Sequence, residues 1–99
     1  MPSASSKSWQ DPFLALAHEE RRAILLLLCD HAQSAGDMAR YLDTTQQSAS
    51  HHLNLLLNNE LVSVEKRGRF RFYITRLDGL QEVEEFLVEL RTRAARRTS

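Results

Sequence analysis

The chain has 99 residues, a size that suits one small domain, and its 13 basic and 13 acidic side chains give a formal net charge of zero. A single cysteine excludes an internal disulfide framework, and no apolar run is long enough to span a bilayer. We therefore expect a cytoplasmic protein without a signal peptide or a membrane segment. The charge is unevenly distributed, because residues 44–76 hold five basic and two acidic side chains, whereas residues 77–90 hold five acidic and no basic ones.

The two ends of the chain differ in composition from its middle. Residues 1–10 are rich in serine and contain one aromatic side chain, Trp9, which is typical of a mobile arm. Trp9 either packs on the domain or on a partner subunit, or it stays half-exposed at a fraying end. The folded domain is predicted over residues 11–95, and residues 96–99 are predicted to form a basic tail.

Two helices are predicted between residues 11 and 30. Asp11 followed by Pro12 is a helix-start signal, and the short first helix should end near His18. Glu19 and Glu20 then begin a second helix, because acidic groups interact favourably with the positive end of the helix dipole. The predicted buried stripe of this second helix comprises Ala23, Ile24, Leu27 and Leu28.

A helix-turn-helix pattern follows. A short helix begins at Ser34 or Gly36, and a turn at Asp43 and Thr44 leads into a longer helix. The hydroxyl of Thr44 or Thr45 suits the N-cap of the longer helix, because it can accept a hydrogen bond from the free backbone N–H groups of the first turn.

The longer helix has one apolar face and one polar face. Its apolar stripe comprises Ala49, Leu53, Leu56 and Leu57. Its polar face comprises Gln46, Gln47, Ser50, His51 and Asn54. A helix that reads base edges needs amides, hydroxyls and imidazoles that are free of negative charge, and this face has no carboxylate. We expect Asn58 and Asn59 to end the helix, since Asn tolerates left-handed backbone geometry.

The periodicity changes from helical to β after residue 59. Phe70, Phe72 and Ile74 alternate with polar or aromatic neighbours, which predicts a strand, and residues 61–64 are also β-prone. Gly68 can adopt the positive φ of a hairpin turn between the two runs. The sequence therefore predicts a two-stranded wing with a basic tip. The alternative interpretation is a solvated hairpin whose arginines merely protect an edge strand.

The acid-free helix face and the basic wing together predict double-stranded DNA as a partner. The predicted DNA-binding residues are Thr45, Gln46, Gln47, Ser48, Ser50 and His51 in the helix, and Lys66, Arg67 and Arg69 in the wing.

A last helix is predicted over residues 80–95, after a break at Asp78 and Gly79. Its apolar stripe is wider than one small domain can cover, which favours pairing with a second copy of the chain. The predicted dimer interface comprises Phe13, Leu14, Val83, Phe86, Leu87 and Leu90.

Two segments resemble the ArsR/SmtB-type winged-helix repressors. Residues 17–25, A-H-E-E-R-R-A-I-L, are similar to the A-D-P-T-R-x-x-I-L segment of that family, with Glu19 in place of the usual proline. Residues 37–42 and 46–53, D-M-A-R-Y-L and Q-Q-S-A-S-H-H-L, resemble its L-A-x-x-L…Q-S-T-V-S-x-H-L segment, with Ala49 in place of the usual valine. The resemblance extends over nearly all of residues 11–90.

The resemblance implies a mainly α fold with a two-stranded β wing, in which four helices precede the wing and a fifth follows it. It also implies a homodimer through the first and last helices, and operator binding that an inducer releases.

Signatures of enzymes and metal sites are absent from the sequence. There is no Gly-rich phosphate loop, paired carboxylate constellation or nucleophile elbow, so we expect neither an enzyme nor a cofactor. The family's ligand boxes are not matched, because residues 33–37 contain no thiol and residues 80–97 contain no histidine. Cys29 and His31 would diverge on a helix, and we interpret Cys29 as a buried structural thiol. We therefore predict no metal site.

The two adjacent histidines have different predicted roles. On one helix, His51 and His52 point about 100° apart, which makes them an unconvincing pair of zinc ligands. His51 lies on the polar face and can donate to a phosphate or a base, whereas His52 lies nearer the core and is expected to pack there.

The most direct interpretation is a homodimeric repressor that binds an inverted-repeat operator. One alternative is a winged-helix module that binds protein through its wing and its acidic last helix. A second alternative is a family member that responds to redox changes or to a small-molecule inducer bound between the first and last helices. The basic wing beside an acid-free helix face favours DNA over the protein-binding alternative.

Overall fold

The computed structural model describes residues 10–98. Its elements in chain order are α1 (Pro12–Leu16), α2 (Glu19–Asp30), α3 (Ala35–Leu42), α4 (Gln46–Asn58), β1 (Val62–Arg67), β2 (Phe70–Thr75) and α5 (Gln81–Thr98), with a 3₁₀ turn at Asp78–Leu80 before α5. This order confirms the predicted winged helix-turn-helix fold, mainly α with a two-stranded β wing. The predicted arm, Trp9 included, lies outside the described residues except for Gln10. None of the described helices combines the length and the apolar content needed to cross a lipid bilayer.

Side-chain caps fix the starts of three helices where the sequence predicted them. The Asp11 carboxylate accepts a hydrogen bond from the backbone of Phe13 at 2.9 Å and begins α1. Ser34 and Asp37 form a reciprocal capping box at the start of α3. Thr45, rather than Thr44, is the N-cap of α4. Each of these caps satisfies a backbone N–H group that the first helical turn leaves without a partner.

The hydrophobic core lies between α2, α3, α4 and the start of the wing. Its largest fully buried side chains are Ile24, Leu28, Met38, Leu53, Leu56, Leu61 and Val62. Helix α4 is central to this core, because its apolar face packs against α2, α3 and β1. The opposite face of α4 is consequently held toward solvent in a fixed orientation.

Helix α4 ends at Asn58 and Asn59 as predicted, but neither residue has the expected left-handed geometry. Asn59 caps the helix with a φ of −102°, and its side-chain amide donates to the carbonyl oxygen of Leu55 at 2.9 Å. The left-handed residue is Glu60, with a φ of 57°. A close approach explains the glycine at position 79, since a Cβ there would lie 1.9 Å from the carbonyl oxygen of Asn59. The chain leaving the wing therefore packs directly on the end of α4.

The wing is an antiparallel hairpin whose register pairs Val62 with Thr75 and Arg67 with Phe70. Gly68 occupies the turn with a φ of 62°, as predicted. Tyr73 anchors β2, because its backbone N–H and C=O groups bond to the backbone of Gln33 at 2.8 and 3.1 Å. The strand alternation is present, but the buried side chain is Tyr73 and the neighbouring apolar residues point away from the core.

The last helix is longer than predicted. It continues to Thr98 and includes Arg96 and Arg97, which the sequence analysis placed in a separate basic tail. None of its residues from Gln81 to Arg97 is buried within the described chain. Helix α5 therefore leaves its apolar side chains accessible to a second chain.

Candidate nucleic-acid interface

Helix α4 presents its polar face to solvent. Thr45, Gln46, Gln47 and His51 are exposed, and Ser48 and Ser50 are half-buried. The Thr45 hydroxyl accepts from the backbone N–H of Ser48 at 3.0 Å, which orders the first turn. Residues 44–59 contain no carboxylate, so this end of the helix can approach phosphates and base edges without charge repulsion.

The predicted wing residues Lys66, Arg67 and Arg69 are all exposed. An Arg67 guanidinium nitrogen lies 2.7 Å from a carboxylate oxygen of Glu65, and the guanidinium carbon lies 5.1 Å from the Phe72 ring centroid. An exposed ion pair of this kind contributes ~0–1 kcal/mol, so a phosphate can replace Glu65 as the partner of Arg67 at little cost.

A cleft of about 430 Å³ separates α4 from β2. Gln46 and Ser50 line it from α4 and Arg69 lines it from the wing, so the fold brings three predicted residues to one cleft. The other predicted wing residues do not line it. Phe70 and Arg71 do, and the sequence analysis had not assigned them to the interface.

A hydrogen-bonded cluster holds α4 against the start of α2. His52, which is 6% exposed, lies with Nε2 3.1 Å from Glu20 Oε1 and with Nδ1 3.3 Å from a guanidinium nitrogen of Arg21. Arg21 also donates to the carbonyl oxygens of Leu14 at 2.9 Å and of Ala15 at 2.8 Å, at the end of α1. A single guanidinium therefore connects α1, α2 and α4. The expected packing role of His52 is confirmed.

The partners of His52 determine where its proton resides. Arginine has only donors, so Nδ1 of His52 accepts from Arg21, and Nε2 carries the hydrogen that is donated to Glu20. Burial lowers the pKa of His52, and the charges of His18 and Arg21 act in the same direction, whereas the hydrogen bond to Glu20 opposes them. His52 is consequently neutral at neutral pH.

Comparison with known proteins identifies the class to which this surface belongs. The sequence model of a helix-turn-helix domain matches residues 16–65. The transcriptional repressor SdpR of Bacillus subtilis (strain 168) is 37% identical over 70 residues, which cover 71% of this chain and 78% of that protein. The arsenical resistance operon repressor of the same organism is 29% identical over 68 residues, which cover 68% of this chain and 65% of that protein. An ArsR-like transcriptional regulator from Rhodococcus sp. RHA1 superposes with a TM-score of 0.80 at 29% identity, over 97% of this chain and 89% of that one.

The chain belongs to the ArsR-type winged helix-turn-helix transcriptional regulators. This membership confirms the family that the sequence motifs indicated. It also places the chain among DNA-binding regulators rather than among enzymes.

The fold of this ArsR-type chain assembles three side chains that the sequence analysis had not connected. His18, Glu20 and His52 each offer one potential ligand atom, and these atoms lie within 4.8 Å of one another. Nδ1 of His18 accepts the backbone N–H of Glu20 at 3.3 Å, so both rings present a protonated Nε2 instead of a lone pair. A metal ion would have to displace these protons next to the Arg21 cation. The geometry therefore favours a hydrogen-bonded network over a metal centre.

The interpretation of Cys29 as a buried thiol is wrong. Its side chain is exposed near the end of α2. Ile24 and Leu28 form the buried side of this helix, so the position directly after Leu28 turns outward. His31 follows as the C-cap with an extended backbone and is also exposed.

The predicted dimer residues of this ArsR-type chain share one surface. It comprises Phe13, Leu14, Val83, Phe86, Leu87 and Leu90, which we call the α1–α5 patch. Its members are exposed except for Val83, which is half-buried, and Leu87 at the middle is 50% exposed. The rings of Phe13 and Phe86 meet edge to face with centroids 5.6 Å apart, so the contributions of α1 and α5 are continuous.

Proposed function

We propose that this ArsR-type regulator is a homodimeric repressor that binds an inverted-repeat operator. The proposal rests on the position of α4 beside the wing. An exposed helix face without carboxylates lies across one cleft from an arginine-bearing hairpin. Duplex DNA matches both features, since its phosphates attract the arginines and its major groove admits a helix.

Base recognition is assigned to the first two turns of α4. Gln46 and Gln47 carry planar amides that can pair with the N6 and N7 atoms of adenine, and Ser50 and His51 extend this set along the same face. Thr45 and Ser48 lie at the capped N-terminus, where backbone N–H groups and the helix dipole favour a phosphate. The rigid packing of the apolar side of α4 keeps these groups in one orientation.

The wing is assigned to the DNA backbone. Lys66, Arg67 and Arg69 are exposed on the hairpin that borders the recognition helix, and their charges suit phosphates beside the major-groove site or along the minor groove.

The homodimer places two such surfaces on one duplex. The α1–α5 patch is an exposed, continuous apolar area that a second copy would cover. A twofold dimer would read two half-sites about one helical turn, or ~10 bp, apart. Metal ions have no role in this proposal. Release of the operator would come from an organic ligand or from oxidation at Cys29, or repression would simply follow the concentration of the protein itself.

The test is binding of the purified protein to DNA from its own promoter across a salt series, measured by fluorescence anisotropy. Gln47→Ala should relax the preference at one base position, at a cost of roughly 1–3 kcal/mol for a lost bidentate contact. Arg67→Ala should weaken binding to all sequences alike and reduce the salt slope by about one unit.

Arg91→Ala is the matched control, because Arg91 is also exposed but lies on α5 instead of on the recognition helix or the wing. This control should bind like the wild type. If Gln47→Ala and Arg67→Ala also matched the wild type, the assignment of α4 and the wing to DNA would be wrong. Absence of any saturable DNA binding would favour the protein-binding alternative.

A further inference from the structure

The outer face of the wing carries apolar side chains that the domain does not cover. The hairpin register places Phe70 opposite Arg67, Phe72 opposite Glu65, and Ile74 opposite Ser63, so the three apolar residues share one face. Tyr73 and Val62 occupy the other face and are buried against the core. Phe70 is 63% exposed and Ile74 is 45% exposed.

Phe70 occupies a particular place on this face. It is the first residue of β2 after the Gly68 turn, so it lies near the tip of the wing. It also lines the cleft that Gln46 and Ser50 line from the recognition helix. Its ring lies on the outer face of the wing beside the Phe72 ring, with centroids 6.4 Å apart, at the edge of the surface assigned to DNA.

The charges around Phe70 indicate the chemistry of what covers it. Arg67 lies directly across the hairpin and shares the face of Phe70, Arg69 precedes Phe70 in the turn, and Arg71 and its partner Lys66 belong to the opposite face of the wing tip. The nearby acid is Glu65, which already pairs with Arg67. An exposed apolar ring at a cationic wing tip suits a polyanion with apolar recesses. The minor groove of duplex DNA offers phosphates at its edges and sugar and base faces inside.

We propose that Phe70 is an apolar wedge that enters the minor groove next to the major-groove site of α4. Its ring packs against deoxyribose and a partly opened base step, while Arg67 and Arg69 contact the flanking phosphates. This inference rests on the proposed function and adds a specificity mechanism to it. A base step that unstacks easily, such as TA or CA, costs less to open, so the sequence beneath the wing influences affinity without hydrogen-bonded readout.

The experiment measures affinity and DNA bending for Phe70→Ala on the promoter fragment used above. Bending is followed by energy transfer between dyes at the two ends of the duplex. We expect about tenfold weaker binding, the scale of one lost aromatic contact, together with a smaller bend. The salt slope should stay unchanged, because no charge is removed. Phe70→Leu should retain most of the affinity and the bend, since a leucine can also act as a wedge.

Ile74→Ala is the matched control. Ile74 lies on the same face of the wing, four residues or about 13 Å along the strand from Phe70, and does not line the cleft. This variant should bind and bend DNA like the wild type. Thermal unfolding should confirm that Phe70→Ala folds normally, as expected for a side chain that is 63% exposed.

Three outcomes separate the inference from the function on which it rests. Wild-type affinity and bending in Phe70→Ala, with binding weakened in Gln47→Ala, would overturn the wedge and leave the proposed function intact. A change in the oligomeric mass of Phe70→Ala without DNA would assign this face to a second copy and also overturn the wedge. Failure of the wild-type protein to bind DNA would remove the proposed function itself.

Discussion

Helices α4 and α5 have similar sequence patterns and opposite surroundings. Both carry an apolar stripe at helical spacing and a polar opposite face. In α4 most of the stripe is covered, since Ala49, Leu53 and Leu56 are completely buried and Leu57 is half-buried. In α5 the corresponding side chains are exposed to solvent, and Leu87 is 50% exposed.

The difference arises from where each helix lies in the chain. Helix α4 is enclosed by α2, α3 and β1, and its buried His52 is also bonded to Glu20 and Arg21. Helix α5 follows the wing and packs beside the short helix α1, which is too small to cover it. An amphipathic pattern therefore predicts that a face will be covered, but it does not tell which chain covers it.

The largest expected effect comes from placing a charge on the exposed apolar stripe of α5. Leu87→Glu should weaken dimerisation by about 100-fold or more, because an unpaired carboxylate would enter an apolar interface. Sedimentation velocity would show monomers at concentrations where the wild type is dimeric. Val88→Glu is the control, since Val88 is exposed on the same helix but lies off the α1–α5 patch. A dimer unchanged by Leu87→Glu would contradict the proposed interface.

Truncating one leucine in each stripe tests whether the stripe is covered by its own chain or by a second copy. Leu53→Ala should lower the free energy of unfolding by about 2–5 kcal/mol at every protein concentration, because it leaves a cavity within one subunit. Leu87→Ala should lower it only at concentrations where the dimer forms. Urea unfolding at two widely separated protein concentrations distinguishes the two cases. Equal, concentration-independent losses would show that α5 contributes to the core of a single chain.

A smaller effect should appear on acidification, through the cluster that anchors α4. The pKa of His52 is lowered from its ordinary value of 6.5, so the unfolded chain binds this proton at a higher pH than the folded chain. Its contribution to stability is fully present above about pH 6.5 and is lost as the pH falls toward the folded pKa. Protonation would also place an N–H group against Arg21.

Denaturant titrations between pH 7.5 and 5, values set by roughly one unit on either side of the ordinary pKa, would measure this loss. His52→Gln should show a shallower decline than the wild type, because it removes the titrating ring. His51→Gln should decline like the wild type, since His51 is exposed on the same helix. Parallel profiles for all three proteins would exclude His52 as the source.

The smallest expected effect is that of metal ions, for which we predict no release of DNA. Zinc, cadmium and nickel titrated against the protein–DNA complex should leave the anisotropy unchanged, because both ring nitrogens of His52 and Nδ1 of His18 are committed to hydrogen bonds. Stoichiometric loss of DNA binding that His52→Gln or Cys29→Ser abolished would overturn this prediction.

Local sequence signals predicted a structural feature correctly wherever the residues that determine it lie close together in the chain. Asp11, Ser34 and Thr45 cap helices with side chains that reach two or three residues ahead. Gly68 provides the hairpin turn because its own backbone tolerates a positive φ. The order of helices and strands followed from these signals and from periodicity, since both depend on neighbours along the chain.

Predictions that depended on distant partners were incomplete or wrong. The β2 alternation did not show which of its two faces is buried, and in the structure it is the face of Tyr73, whose backbone bonds to Gln33. Glu20 and His52 are separated by 32 positions, so the H-x-E spacing at residues 18–20 could not reveal their contact. Cys29 belongs to an apolar run whose exposed side became definite only when α2 packed through Ile24 and Leu28.

The helix starts, the hairpin turn, the acid-free face of α4 and the family could all be predicted from the sequence, because each of these depends on residue type and short spacing. Three features depend on the packing of the folded chain: which apolar faces are covered, which ring nitrogens of His52 accept or donate, and which side chains border the cleft between α4 and the wing. Burial and hydrogen bonding are properties of pairs of surfaces, and a single stretch of chain contains only one member of each pair.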